Sequence, residues 1–145
     1  MVEHVNTTVR YFGRKSQRSS RRGAAAVEFA VTAPVFFVFL LAAFEFGWLN
    51  VMRHTADNAA YEAARTVIVP GATAAEATAK ANSILNAVGA RKATVSITPT
   101  SITNSTTEVT VAVDIPMNSN GLVTPRFTGK KILHSQATLK TERAK

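Results

Sequence analysis

The sequence contains no cysteine. This absence excludes a disulfide scaffold, a cysteine zinc site and thiol catalysis, although it does not distinguish a cytoplasmic from an exported protein. The three histidines, His4, His54 and His134, lie far apart and form neither the HExxH pattern nor another metal-ligand spacing. The sequence also shows no phosphate-binding loop, nucleophile elbow or carboxylate pair. We therefore expect a protein that is not an enzyme and that has no cofactor and no metal site.

Charge is nearly absent from residues 24–44, in which Glu28 is the only ionisable side chain. As a helix these 21 residues would span about 31 Å, which matches the hydrocarbon thickness of a bilayer. A buried helix of a soluble protein normally keeps a polar stripe, whereas the run from Phe36 to Leu41 is apolar on every side. We therefore predict a transmembrane helix over residues 24–49, which Pro34 is expected to kink or loosen without ending it.

Basic residues are concentrated before this helix. Residues 1–23 contain six Lys and Arg residues against Glu3 alone, and they supply most of the net charge of +8. The positive-inside rule places this leader in the cytoplasm and the C-terminal part in the periplasm or outside the cell. A leader tethered to a membrane helix meets anionic lipid more readily than nucleic acid. We therefore predict a single-pass protein of the bacterial inner membrane whose leader contacts anionic lipid and binds no nucleic acid.

The rest of the chain predicts a small exported α+β domain. Alanines at helical spacing continue the first helix through residues 50–70, and Pro70 and Gly71 end it. Thr73 and Glu76 form a capping-box pattern before a second, amphipathic helix over residues 74–88. Alternation of apolar and polar residues predicts antiparallel strands at 93–98 and 109–115, and a weaker third strand at 132–139.

The predicted domain, residues 71–145, needs a partner layer for the apolar face of its sheet. We expect the second helix to cover that face, and the opposite face, rich in threonine, to be exposed to water. The residues expected to be buried are Leu85, Val95, Ile97, Val109, Val111, Val113 and Ile115.

The junction between leader and span has the most specific pattern. Arg21, Arg22 and Gly23 are followed by three alanines and a valine, and then by Glu28 and Phe29. A basic leader, a glycine, and an acidic residue five places later followed by an aromatic resemble the recognition site of prepilin-type peptidases.

Further motifs follow in order, at Pro34, at Glu45 to Gly47, and at Ala59 to Arg65. With the junction they make residues 21–66 resemble the TadE and TadF pseudopilins of the tight-adherence, or Flp, pilus system, which is related to type IV pili. Tyr61 and Ala63 depart from the residues that relatives carry more often, which weakens the assignment to one of the two types. The remaining chain is then similar in outline to a pilin.

This resemblance implies that a membrane aspartyl peptidase cuts between Gly23 and Ala24, and that the mature protein keeps its helix and acts in assembling or anchoring an adhesive pilus. The implied partners are the prepilin-type peptidase and other pilins or pseudopilins. Glu28 and Phe29 would act in recognition or assembly. Family-specific contacts are implied for Pro34, Glu45, Gly47, Glu62 and Arg65.

Several alternatives remain open at this point. The apolar run could be a secretory signal, although it exceeds the usual 7 to 15 residues of a signal core and no A-x-A pattern follows it. It could also be an uncleaved anchor for a domain that binds a periplasmic or surface ligand. Glu45 could simply lie at the outer interface beside Trp48. Glu62 and Arg65 could form an ordinary exposed pair on the helix.

Overall fold

The computed structural model describes residues 1, 18–122 and 127–141, and for helical residues 18–22 only the backbone. The predicted leader, residues 1–23, therefore lies largely outside the described residues. The chain forms two compact units, residues 1–38 and residues 39–145. The second unit begins at Phe39, so it contains the predicted helix continuation, residues 50–70, as well as the predicted domain, residues 71–145.

The first helix, α1, runs from Arg18 to Val67. It continues through Pro34, as expected, because a proline removes only one donor from the helix ladder. The part from Gly23 to Val67 is long and apolar enough to cross a bilayer, and no residue of its most apolar stretch is buried. The side chains there make a helix that is hydrophobic all round, which is typical of a membrane span. The predicted N-terminal apolar helix is confirmed.

The second helix, α2, comprises Ala74–Ala87. Thr73 is its N-cap, and the capping box is complete because the Thr73 side chain accepts from the Glu76 amide while the Glu76 carboxylate accepts from the Thr73 amide. Gly89 has a φ of 70°, a left-handed conformation that glycine adopts without strain just after a helix. The predicted start of this helix is confirmed, and the helix ends at Ala87, one residue earlier than predicted.

Three antiparallel strands form one sheet in the order β1-β2-β3. They comprise Thr94–Thr98, Glu108–Pro116 and Ile132–Lys140. The β1–β2 register places Ile97 opposite Val111, and the β2–β3 register places Val111 opposite Ala137. The central strand alternates strictly between buried and half-buried residues, as the period-two pattern predicts. The predicted α+β fold is confirmed.

The core lies on one face of this sheet and includes more helix than the sequence predicted. Leu85, Ile97 and the four residues of β2 that were expected in the core are buried, whereas Val95 is only half-buried. We expected α2 to cover the sheet, but α1 contributes to the same core cluster. The fully buried residues that α1 adds to this cluster are Ala56, Ala59, Ala60, Ala63, Ala64 and Val67.

Side chain size explains this arrangement. Alanines at spacings of three and four residues form one narrow stripe along a helix. A stripe of such small side chains lets the helix backbone lie close to what it covers, with the dense packing that protein interiors require. In addition, the Ser135 hydroxyl on β3 donates to Asp57 Oδ1 on α1 across 2.6 Å. The second half of α1 is therefore an integral part of the domain.

The opposite face of the sheet is polar and largely exposed, as expected. Thr110 and Thr138 lie opposite each other on β2 and β3, and their hydroxyls are 2.8 Å apart. Asp114 and His134 are likewise opposite, with 2.5 Å between Oδ1 and Nδ1. Cross-strand pairs of this kind stabilise a sheet on its exposed face.

Candidate functional site

Gly23 and Ala24, the residues of the predicted cleavage site, lie in α1 and are exposed. A Cβ atom added to Gly23 would meet no other atom within 4 Å. The fold itself therefore does not require glycine at this position, and a requirement for glycine would have to come from a partner such as a peptidase. The side chains of Arg21 and Arg22 lie outside the described residues.

Glu28 and Phe29, the residues with a predicted recognition or assembly role, are both exposed on α1. Glu28 lies four residues after Ala24, and therefore on the same helix face one turn away. Its backbone carbonyl accepts a hydrogen bond from the Thr32 hydroxyl across 2.9 Å. The carboxylate and the Phe29 ring thus lie at the surface of α1, where a partner can reach them.

Pro34 and Gly47, two of the predicted family contacts, are also exposed on α1. As at Gly23, a Cβ atom added to Gly47 would meet nothing within 4 Å. Neither residue is therefore explained by packing within the described part of the chain.

Glu45 is the predicted site residue with the most contacts in this structure. Its Oε1 atom accepts from the amide of Phe127 across 2.9 Å, and from the amide and hydroxyl of Thr128 across 2.6 Å each. Thr128 is almost completely buried. A carboxylate that accepts several such bonds holds the segment that donates them, because hydrogen bonds to a charged acceptor are stronger than neutral ones. Glu45 therefore does more than face the outer interface beside Trp48.

Trp48, one turn after Glu45, makes a second connection between α1 and the loop that joins β2 to β3. Its indole Nε1 donates to the backbone carbonyl of Asn120 across 2.6 Å. The Asn120 side chain in turn accepts from the Arg91 amide and donates to the carbonyls of Arg91 and Pro116. This nearly buried asparagine thus connects α1, the end of β2 and the segment before β1.

We call this arrangement the Glu45–Trp48 clamp: Glu45 and Trp48 on α1, with Asn120 and Thr128 on the loop. Asn120 and Thr128 were not predicted from the sequence. They lie 72 to 83 residues from their α1 partners, and they sit in a loop without periodicity. No local pattern relates such residues, so only the folded chain could reveal the connection.

Glu62 and Arg65 remain on the second half of α1, half-buried and exposed respectively. The ion pair found among the described residues joins His134 to Asp114, so Glu62 and Arg65 are not within 4.0 Å of each other as a pair. The interpretation as an ordinary helix pair is wrong for this structure. The implied family contact for these two residues stays a prediction.

An open groove of about 420 Å³ lies between the two helices of the domain. Its lining is mostly apolar and consists of Val51, His54, Thr55, Asn58, Ile84, Ala87 and Val88. Within the part of the chain that the structure describes, no cluster of three or more His, Asp or Glu side chains could hold a metal ion.

Residues 23–65 match the model of a family described as TadE-like protein. This segment is TadE-like. The match confirms, for residues 23–65, the resemblance to TadE-like proteins seen in the sequence. Comparison with curated proteins and with solved structures gave no match.

The TadE-like segment begins at Gly23 and ends two residues before α1 does. It contains every predicted site residue, whereas the loop partners that the structure adds to the clamp lie outside it. The sheet and α2 lie outside it. The match therefore covers most of α1, including the part of α1 that packs in the domain, and does not extend to α2 or the sheet.

Proposed function

We propose that this protein is a non-catalytic pseudopilin of the tight-adherence pilus system, processed by a prepilin-type aspartyl peptidase between Gly23 and Ala24. The observation that carries the proposal is the TadE-like match over residues 23–65. The match begins at the glycine of the predicted cleavage site. The basic leader, the exposed apolar stretch of α1 and the surface position of Glu28 and Phe29 support it.

In this proposal the leader is cytoplasmic, and α1 crosses the inner membrane over residues 24–49, with the nearly uncharged stretch 24–44 in the hydrocarbon. The anionic headgroups of the inner leaflet hold the six basic residues of the leader, at roughly 1 kcal/mol each, and so hold the scissile bond at the cytoplasmic face. After cleavage α1 stays in the bilayer, where its exposed side chains contact the helices of other pilins or pseudopilins. The protein helps to assemble or anchor an adhesive Flp pilus.

The clamp suits such a role mechanically. A domain attached by one free helix could rotate about the end of the membrane span. Here Glu45 and Trp48 hold the loop of the domain at two points one turn apart on α1. A force or a rotation applied to the span is then transmitted directly to the sheet.

A genetic complementation experiment tests the function. In a strain that makes tight-adherence pili, deletion of the gene should abolish or strongly reduce surface pili, and the wild-type gene should restore them. Piliation is counted by electron microscopy and checked by the amount of sheared surface pilin. Normal piliation in the deletion strain would contradict the proposal, and it would favour the alternative of an uncleaved anchor that displays a ligand-binding domain.

A further inference from the structure

The end of the domain that the clamp holds has an unusual surface. Phe46 lies between the two clamp residues of α1, and its ring stacks on Phe127 with 6.3 Å between centroids and 27° between planes. Each of these rings is 53% exposed. A stacked aromatic pair that remains half in water leaves a large apolar surface uncovered. Leu122, from the same loop, is equally exposed.

Four basic side chains lie on the segments that the clamp connects. Lys130 and Lys131 follow Thr128 closely, and the Lys131 amide donates to the Thr128 carbonyl across 2.8 Å. Arg91 and Lys92 are brought to the same end because Asn120, which accepts from Trp48, holds the Arg91 backbone on both its amide and its carbonyl. All four basic side chains are exposed.

Two carboxylates at this end of the sheet, Glu45 and Asp114, offset only part of the charge of the four basic side chains, so positive charge remains in excess. Glu45 is held by hydrogen bonds from the loop. Asp114, on the polar face of the sheet, is paired with His134. An aromatic pair with a basic rim is the composition by which proteins lie in the interfacial layer of an anionic bilayer, rings at the acyl boundary and cations at the phosphates.

From these observations we infer that the clamped end of the domain, with the Phe46–Phe127 pair and Arg91, Lys92, Lys130 and Lys131, is seated in the outer headgroup layer of the membrane that α1 crosses. The inference rests on the proposed membrane span. The surface that covers the aromatic pair is the lipid, because Phe46 is only two residues beyond Phe44, the last residue of the apolar run. The aromatic pair is therefore already at the boundary depth.

With the domain placed in this way, the clamp would fix its tilt relative to the membrane. The domain would meet the bilayer at two places, through α1 and through the loop, so that it could not tilt away from the membrane. Glu45 would hold Phe127 at the depth of Phe46 by binding the Phe127 amide.

Site-directed spin labelling tests this inference, because the chain has no native cysteine and needs no background substitutions. Single variants Phe127→Cys, Phe37→Cys and Asn104→Cys are labelled with a nitroxide in the full-length chain. Phe37 lies in the span, and Asn104 is exposed in the turn between β1 and β2, at the opposite end of the sheet from the clamp. The protein is reconstituted in vesicles of phosphatidylethanolamine and phosphatidylglycerol in equal parts.

The measured quantity is the collision rate of the label with oxygen, which partitions into lipid, relative to that with a water-soluble nickel complex. We expect oxygen to dominate at Phe37 and Phe127 and the nickel complex to dominate at Asn104. Adding Lys130→Gln and Lys131→Gln to the Phe127→Cys chain should shift its label toward water, with the equilibrium constant for docking falling about fivefold for each lysine. The matched change Lys140→Gln, at the far end of β3, should have no effect.

Two results would overturn the inference while leaving the proposed function intact. One is a water-like label at Phe127 together with a lipid-like label at Phe37. The other is spin–spin broadening at Phe127 that disappears on dilution with unlabelled chain, which would mean that a second copy covers this end. A water-like label at Phe37 would remove the membrane span, and both the inference and the proposed function with it.

Discussion

The indole nitrogen of Trp48 and the backbone carbonyl of Asn120 are joined by a 2.6 Å hydrogen bond across 72 residues of sequence. This contact and the neighbouring contacts of Glu45 attach the loop between β2 and β3 to α1. They lie just beyond the apolar run that ends at Phe44. The domain is therefore fixed to α1 just beyond the stretch that is apolar enough to cross a membrane.

The clamp predicts a specific effect of substitutions at Glu45. Glu45→Ala leaves the amide and hydroxyl of the buried Thr128 without this acceptor, which should lower the free energy of unfolding by about 1 to 3 kcal/mol. Glu45→Gln keeps a carbonyl acceptor and should lose less. Hydrogen exchange at the amides of Phe127 and Thr128, measured in detergent micelles, should be much faster in Glu45→Ala. If these amides were as well protected in Glu45→Ala as in the wild-type chain, Glu45 would not hold the loop.

A second prediction concerns the alanine stripe of α1. Ala60 is fully buried in the core, so Ala60→Leu adds a branched side chain inside the packed core. Overpacking of this kind should lower the free energy of unfolding by about 1 to 3 kcal/mol. The control is Asn58→Leu, an exposed position two residues earlier on the same helix. Denaturant unfolding that is unchanged by Ala60→Leu would show that α1 does not pack against the sheet.

Much of this fold could be predicted from local patterns. Residues close together in sequence carry the capping box at Thr73 and Glu76 and the alternation in β2. The predicted bounds of α2 and of the strands are therefore close to the observed ones. The packing of α1 onto the sheet was missed because an alanine stripe has little hydrophobic contrast and fits an exposed helix equally well. The clamp was missed because its two sides are far apart in sequence.

The candidate site likewise contains residues that a local motif predicts and residues that only the folded chain reveals. Gly23, Glu28 and Phe29 could be singled out because a motif contains them, and the TadE-like match covers them. Their roles stay predictions, because an exposed position on a helix does not by itself show what these residues bind. Asn120 is the opposite case, since its importance comes only from the partners that folding brings to it.

The orientation of the protein is a third prediction. Because the basic residues precede the span, the positive-inside rule places Lys145 on the periplasmic side and the leader in the cytoplasm. Alkaline phosphatase, which is active only after export, should be active when fused after Lys145. The same enzyme fused within residues 1–20 should be inactive. Activity in the reverse pattern would contradict the topology and, with it, the accessibility of Gly23 to a cytoplasmic-face peptidase site.

A fourth prediction concerns the charge of Glu28. Cleavage after Gly23 removes the leader and creates a free amino group at Ala24, one helical turn from the Glu28 carboxylate. A carboxylate near the hydrocarbon boundary is costly without a partner, so Glu28 is expected to pair with its own new terminus or with that of a neighbouring subunit. An intersubunit pair would set the axial register between helices.

Glu28→Gln keeps the size and hydrogen bonding of the side chain and removes its charge. The variant should insert normally but be poorly matured or fail to support piliation. The same substitution at Glu108, exposed at the start of β2, is the control and should support normal piliation. Wild-type maturation and piliation in Glu28→Gln cells would mean that the carboxylate only reaches back to the headgroup layer.

The central claim, that a prepilin-type peptidase cuts after Gly23, is tested most directly by the intact mass and N-terminal sequence of the chain from the membrane fraction. In cells with the peptidase the wild-type chain should begin at Ala24. Gly23→Val should accumulate as the full-length precursor, because bulk is then present at the scissile bond. Gly47→Val, which adds the same bulk at another open position of α1, should be cut normally. A wild-type chain that begins at Met1, or a Gly23→Val chain that is cut efficiently at the same bond, would contradict the account.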